Sequence, residues 1–89
     1  MKQMLTTHTG TRVYWTPKDE LNTYLQIEVD ENGYGELKEV YSHGDVYEVT
    51  QLTNLWVNFP EFNGAEYDTH VEPYQADFLK QTFNNIQKI

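Results

Sequence analysis

An Asn-Gly pair at positions 32–33, set between two runs of strand-forming residues, constrains this chain more than any other feature. Upstream, Leu25, Ile27 and Val29 alternate with Gln26, Glu28 and Asp30. A period of two sends the first set to one face of a strand and the second set to the other. Asn and Gly supply the positive φ that a tight hairpin turn needs. A two-residue loop would set Val29 opposite Glu36 and Ile27 opposite Lys38, mixing the faces. A three-residue loop of Glu31, Asn32 and Gly33 sets Ile27 opposite Leu37 and Glu28 opposite Glu36, which keeps an apolar face, with Gly33 at the bulge position. The match is imperfect, because Leu25 then faces Glu39. The expected strands are Tyr24–Asp30 and Tyr34–Tyr41.

This register brings two carboxylates together. Like charges directly opposite one another destabilise a sheet by about a few tenths of a kcal/mol. The crowding extends beyond that pair. Between Tyr24 and Thr50 lie seven acids (Glu28, Asp30, Glu31, Glu36, Glu39, Asp45 and Glu48) and one base, Lys38. From Glu28 to Asp77 there are twelve acids and that same single base. The flanks carry Lys2, Arg12, Lys18, Lys80 and Lys88 against Asp19 and Glu20, and the whole chain has a net charge of −8. Such acids either solvate an exposed face or serve recognition. The sign disfavours direct binding to nucleic acid or anionic lipid and favours a basic partner.

The 89 residues predict one domain, 1–89, able to bury a core unaided. Seven Tyr, four Phe and two Trp argue against disorder. With no Cys there is neither a disulfide framework nor a thiolate zinc site. No apolar run reaches membrane-spanning length, and Met1–Gly10 lacks the apolar region of a signal peptide. The expectation is a soluble cytoplasmic protein.

Along the chain, Met1–Thr9 reads as a frayed end or an edge strand, and Thr11–Trp15 as a strand with Val13 and Trp15 on one face. Thr16–Glu20 resembles a helix cap with Pro at the first helical position, leaving room for a turn or one short helix. Ser42–Asp45 is a turn cluster. Val46–Phe59 carries both a strand pattern and a helical stripe, with Asp45 and Glu48 as a capping box for the latter. Its Val, Thr and aromatic content favours a strand, broken near Thr53-Asn54. Pro60–Ala65 reads as a loop. Tyr74, Phe78, Leu79, Thr82, Phe83, Ile86 and Ile89 recur at helical spacing after Glu72-Pro73, predicting a helix that runs to the C-terminus. The expected fold is α+β: a small, mostly antiparallel sheet of three to five strands with a C-terminal helix packed on one face.

Catalytic chemistry finds little support. Ser42, His43 and Asp45 have triad residue types, but they lie together in one turn, whereas a triad needs separate elements and an oxyanion hole. Glu66, Asp68, His70 and Glu72 would share one strand face at about 6.6–6.8 Å per step. Glu66, Asp68 and His70 are weak candidates for a hard or borderline divalent ion, since four such residues in a row do not converge without a bend. No phosphate loop, zinc spacing or calcium loop occurs. The expectation is a protein without catalytic residues, resident metal or cofactor.

The positive argument is geometric. Carboxylates on one strand face repeat at about 6.6–6.8 Å, comparable to the spacing of phosphates along a nucleic-acid strand. Arg binds both groups in the same bidentate manner. Glu28, Asp30, Glu36 and Glu48 on an open sheet face would present such a ladder to a cationic cleft. Glu31, Glu39 and Asp45 add to its field, and exposed Tyr24, Tyr34, Tyr41 and Tyr47 add aromatic anchors.

In size, acidic composition and acidic β-hairpin the chain resembles the small acidic inhibitors encoded by phages and mobile elements, such as anti-CRISPR proteins and anti-restriction DNA mimics. The resemblance implies a non-enzymatic blocker of a host nuclease or other nucleic-acid-binding protein, acting in the host cytoplasm. The expected partner-binding residues are Glu28, Asp30, Glu31, Tyr34, Glu36, Glu39, Asp45 and Glu48. The alternative is a structural or assembly module that contacts other proteins through the apolar stretch from Trp56 to Phe62.

Overall fold

The computed structural model of the chain describes residues 3–58 and 64–89. Among these described residues, seven strands form one sheet in sequence order: β1 (Gln3–Thr6), β2 (Arg12–Trp15), β3 (Thr23–Val29), β4 (Tyr34–His43), β5 (Val46–Asn58), β6 (Gly64–Tyr67) and β7 (Ile86–Lys88). Neighbours pair antiparallel up to β6, and β7 pairs parallel to β6. A parallel pair needs a crossover, and one helix, α1 (Pro73–Thr82), supplies it.

This corrects the expected architecture of three to five mostly antiparallel strands closed by a C-terminal helix. The sheet has seven strands and is mixed. Its helix is short and internal, ending where Phe83 turns extended (φ −121°, ψ 138°). Ile86 continues the helical spacing of Phe78, Leu79 and Phe83, yet it pairs with Ala65 as a strand residue. The N-terminal stretch forms an edge strand. Val46–Asn58 is one strand, and the break expected near Thr53 is a bulge: Leu37 faces Thr53, Lys38 faces Gln51, and Leu52 is the extra residue. No helix forms over 16–20.

One turn design recurs three times. At Thr7–Thr11, Asp19–Thr23 and Asp30–Tyr34 the first residue's amide donates to the fifth residue's carbonyl, at 2.8, 2.9 and 2.9 Å. The fourth residue's amide donates back to the first carbonyl at 3.1 Å in each. The first side chain caps the loop, with Thr7 Oγ1, Asp19 Oδ1 and Asp30 Oδ1 accepting amide protons. The fourth position requires a left-handed backbone and is filled by Gly10 (φ 86°), Asn22 (φ 62°) and Gly33 (φ 91°). These are three-residue loops with a bulge, so the 24–41 hairpin takes the expected register: Ile27 faces Leu37, Glu28 faces Glu36, and Leu25 faces Glu39.

The core lies on one side of the sheet. Leu25, Ile27, Val29, Leu37, Leu55, Val57 and Ala65 meet Val71, Phe78, Leu79 and Phe83 there. Tyr14 meets the Phe83 ring edge-on, with centroids 6.4 Å apart. At the start of α1, Gln75 Oε1 accepts the Glu72 amide at 2.8 Å. Among the described residues no helix is long and apolar enough to cross a membrane.

Candidate functional site

The sheet face away from α1 carries the residues that alternate with the core. On β2 and β3 these are Val13, Trp15, Tyr24, Gln26 and Glu28, and on β4 they are Tyr34, Glu36, Lys38 and Val40. Trp56 faces Tyr34 and Val49 faces Val40 from β5, while Glu66 faces Trp56 from β6. Val40 is fully buried on this open side, between Tyr24 and Val49. Burial and the neighbouring Tyr47 hydroxyl push the Tyr24 phenol upward. The surface is thus aromatic with acids set into it.

Glu28 and Glu36 stand directly opposite one another, as the hairpin register requires. Lys38 reaches diagonally into the gap, with Nζ 3.1 Å from Glu28 Oε1 and 3.7 Å from Glu36 Oε1. Partial burial pulls the ammonium's pKa down. The Glu28 hydrogen bond and the fields of both carboxylates outweigh it, leaving the pKa raised. The single base of the acidic segment therefore lies within the acidic pair. Both carboxylate side chains keep about two-fifths of their surface exposed (43 % and 40 %).

The other expected contact residues are dispersed. Tyr34 is 60 % exposed and shares the open face with Glu28 and Glu36. Asp30 is occupied by the turn, its Oδ1 accepting the amides of Asn32 at 2.8 Å and Tyr34 at 3.0 Å. Glu31 is exposed in the same loop, close to Gly10 of the first turn. Asp45 is exposed at the far end, in the turn between β4 and β5. Glu39 and Glu48 have the opposite parity and lie on the helix side of the sheet. Glu39 Oε2 accepts the Tyr74 hydroxyl at 2.7 Å, which raises the Tyr74 pKa. A ladder of Glu28, Asp30, Glu36 and Glu48 on one face is therefore not formed, and Tyr41, opposite Glu48, leaves the expected aromatic set. Trp15 and Trp56 join that set instead. Reading Val13 and Trp15 as one face, and counting from the bulge, would have placed them there.

The Glu66, Asp68 and His70 candidates do not converge. Strand β6 stops at Tyr67, so the three do not share one extended face. Asp68 is committed to β5, accepting from Thr53 Oγ1 at 3.2 Å and from the Asn54 amide and side chain at 3.3 and 3.2 Å. The Asn54 side-chain bond is the main cause of its lowered pKa. Among the described residues no cluster of three or more metal-ligating side chains occurs. Ser42 lies on a strand, His43 ends it and Asp45 follows in the turn, so the triad types stay strung along one hairpin. Of the apolar stretch from Trp56 to Phe62, Trp56 is half-buried on the open face, and residues 59–62 lie outside the described residues.

Comparison with protein families, with curated proteins and with solved structures returns no match for this chain.

Proposed function

We propose that this is a non-enzymatic acidic binding protein that docks the open face of its sheet on the basic, nucleic-acid-binding surface of another protein. A nuclease is the partner that the likeness to small acidic inhibitors suggests. The observation that carries this reading is the Glu28–Glu36 pair, two half-exposed carboxylates held opposite one another beside exposed Tyr34. Lys38 offsets one of the two negative charges, and the charge that remains on the pair would accept bidentate bonds from a partner's guanidinium. Aromatic residues around the pair supply contact area with little loss of side-chain freedom. A net charge of −8 would steer association toward a cationic cleft.

The test is affinity capture on the immobilised chain, followed by elution with duplex DNA and, separately, with salt. The expected result is a captured basic protein released by DNA and by salt rising from about 0.05 to 0.5 M. The double variant Glu28→Gln/Glu36→Gln should lose capture while keeping its circular dichroism spectrum. Asp30 is unsuitable for this test because its carboxylate holds the turn. Capture that resists DNA, or survives the double substitution, overturns the reading.

A further inference from the structure

Strand β5 is longer than its outer neighbour. Strand β6 covers only Leu55–Asn58, and Asp68 with Thr69 closes the next step at Thr53 and Asn54. Val46–Leu52 is therefore a sheet edge with no backbone partner on its outer side among the described residues.

The direction of its backbone groups follows from the hairpin. His43 faces Val46 across the Gly44-Asp45 turn, so Val46, Glu48 and Thr50 spend their amides and carbonyls on β4. The N–H and C=O groups of Tyr47, Val49 and Gln51 point outward. The edge is lightly protected: the segment VYEVTQL has no Pro and no Lys, and carries only the single charge of Glu48 and the Leu52 bulge at its end. Val46, Tyr47 and Val49 are 49 %, 63 % and 47 % exposed.

We infer that this edge is a pairing site for a second copy of the chain, joined antiparallel about a two-fold axis at Val49. The segment is self-complementary in that register. With Val49 opposite itself, Tyr47 faces Gln51, Glu48 faces Thr50 and Val46 faces Leu52 of the second copy. Every outward amide and carbonyl of Tyr47, Val49 and Gln51 finds a partner, and no like charges stand opposite. An axis at Glu48 would oppose two carboxylates. An axis at Gln51 would drive the second copy into Asp68 and Thr69. An axis at Tyr47 would waste half the edge and set Val49 against Asp45. The axis at Val49 is also the midpoint of the free segment. The result is an isologous dimer with one continuous sheet. Asp45 of each copy approaches Asp68 of the other, and both copies are acidic. Salt therefore strengthens this contact, the opposite of its effect on a basic partner.

Sedimentation equilibrium across a concentration series tests the inference. The expected result is a species of twice the 10.5 kDa chain mass, favoured by added salt. Val49→Pro removes an outward amide and leaves the ladder to β4 intact, so it should abolish the dimer. Because Pro could also disturb the strand, Val49→Cys provides a second measurement. The chain has no Cys of its own, and the two-fold brings position 49 within disulfide reach of itself, about 5.5 Å between Cα atoms. Mild oxidation of Val49→Cys should give a cross-linked dimer, whereas Lys80→Cys on the helix should not. A chain that stays monomeric at high concentration and salt, with the Val49→Cys variant failing to cross-link, overturns the inference. A monomer that loses a foreign partner on Val49→Pro also overturns it, since the edge would then serve that partner. The Glu28→Gln/Glu36→Gln variant should dimerise normally, which separates this outcome from failure of the proposed docking face.

Discussion

The β4–β5 hairpin contains two different surfaces in one pair of strands. In its near half, Tyr34–Leu37 against Thr53–Trp56, Leu37 and Leu55 are fully enclosed beneath α1. In its far half, Lys38–His43 against Val46–Gln51, every β5 residue is exposed. Residue types do not separate the halves, since Val46, Tyr47 and Val49 are as apolar as the core. What separates them is coverage. Strand β6 ends where the near half ends, α1 reaches the far half at Glu39 through Tyr74, and the Leu52 bulge marks the joint, turning that side chain to the core beside Thr53. On the helix side, apolar strand residues are buried where the second layer reaches them; Val40, enclosed on the open side between Tyr24 and Val49, is covered by its neighbours within the sheet instead.

This contrast can be broken most strongly in the near half. Gly35→Ala would push a methyl group into the Glu28 carbonyl oxygen on the adjacent strand. We expect a loss of about 3 kcal/mol or more in urea unfolding. Leu55→Ala should cost about 2–5 kcal/mol in the same measurement, because its surroundings are closed. At the joint, Thr53→Val removes the hydroxyl that accepts the Asp68 and Thr69 amides at 3.3 and 3.1 Å. A loss of about 1–3 kcal/mol is expected, and a neutral result would show that the β5–β6 end is not fastened there.

The tie from the helix to the far half is the Tyr74–Glu39 bond. Tyr74→Phe should cost about 0.5–1.5 kcal/mol. Its pH signature is alkaline: the Tyr74, Tyr24 and Lys38 pKa values are all raised above ordinary values of 10.0, 10.0 and 10.5. A group raised in the folded state holds its proton longer than in the unfolded chain. Stability is then complete below about pH 10 and falls as pH rises through the folded values. Tyr74→Phe should flatten this decline in a thermal melt series. Asp68 works in the opposite direction: its pKa is lowered from 3.8, so its contribution is present above that value and fades as pH falls below it. Smallest of all, Val46→Thr and Val49→Thr, measured in dilute solution, should stay within about 0.5 kcal/mol of the parent. Losses like that of Leu55→Ala would mean the far half is covered after all.

The parts of the fold legible in the sequence are the local ones. The Asn32-Gly33 turn and the alternation of Leu25, Ile27 and Val29 are enough to give the register of β3 and β4 down to the Glu28–Glu36 pair. The C-terminal segment misleads because Phe83, Ile86 and Ile89 keep helical spacing, while the partner that makes Ile86–Lys88 a strand is β6, some twenty residues earlier. Pairing across such a distance leaves no trace in a local period. The candidate site meets a related difficulty. Counting parity along the strand sends Glu48 to the open face, whereas parity is set by the partner, and Tyr41 opposite Glu48 belongs to the helix side. That Lys38 settles between Glu28 and Glu36 is readable from the same register, one diagonal step away.

The repeated five-residue turns have a kinetic consequence. Each lets two strands zip from a closed end, so four consecutive strands can form from contacts near in sequence, with little loop entropy to overcome. The parallel β6–β7 pair has no such shortcut and must await the crossover. Assembly should therefore proceed from the amino-terminal meander toward the final strand, with docking of that strand as the slow event.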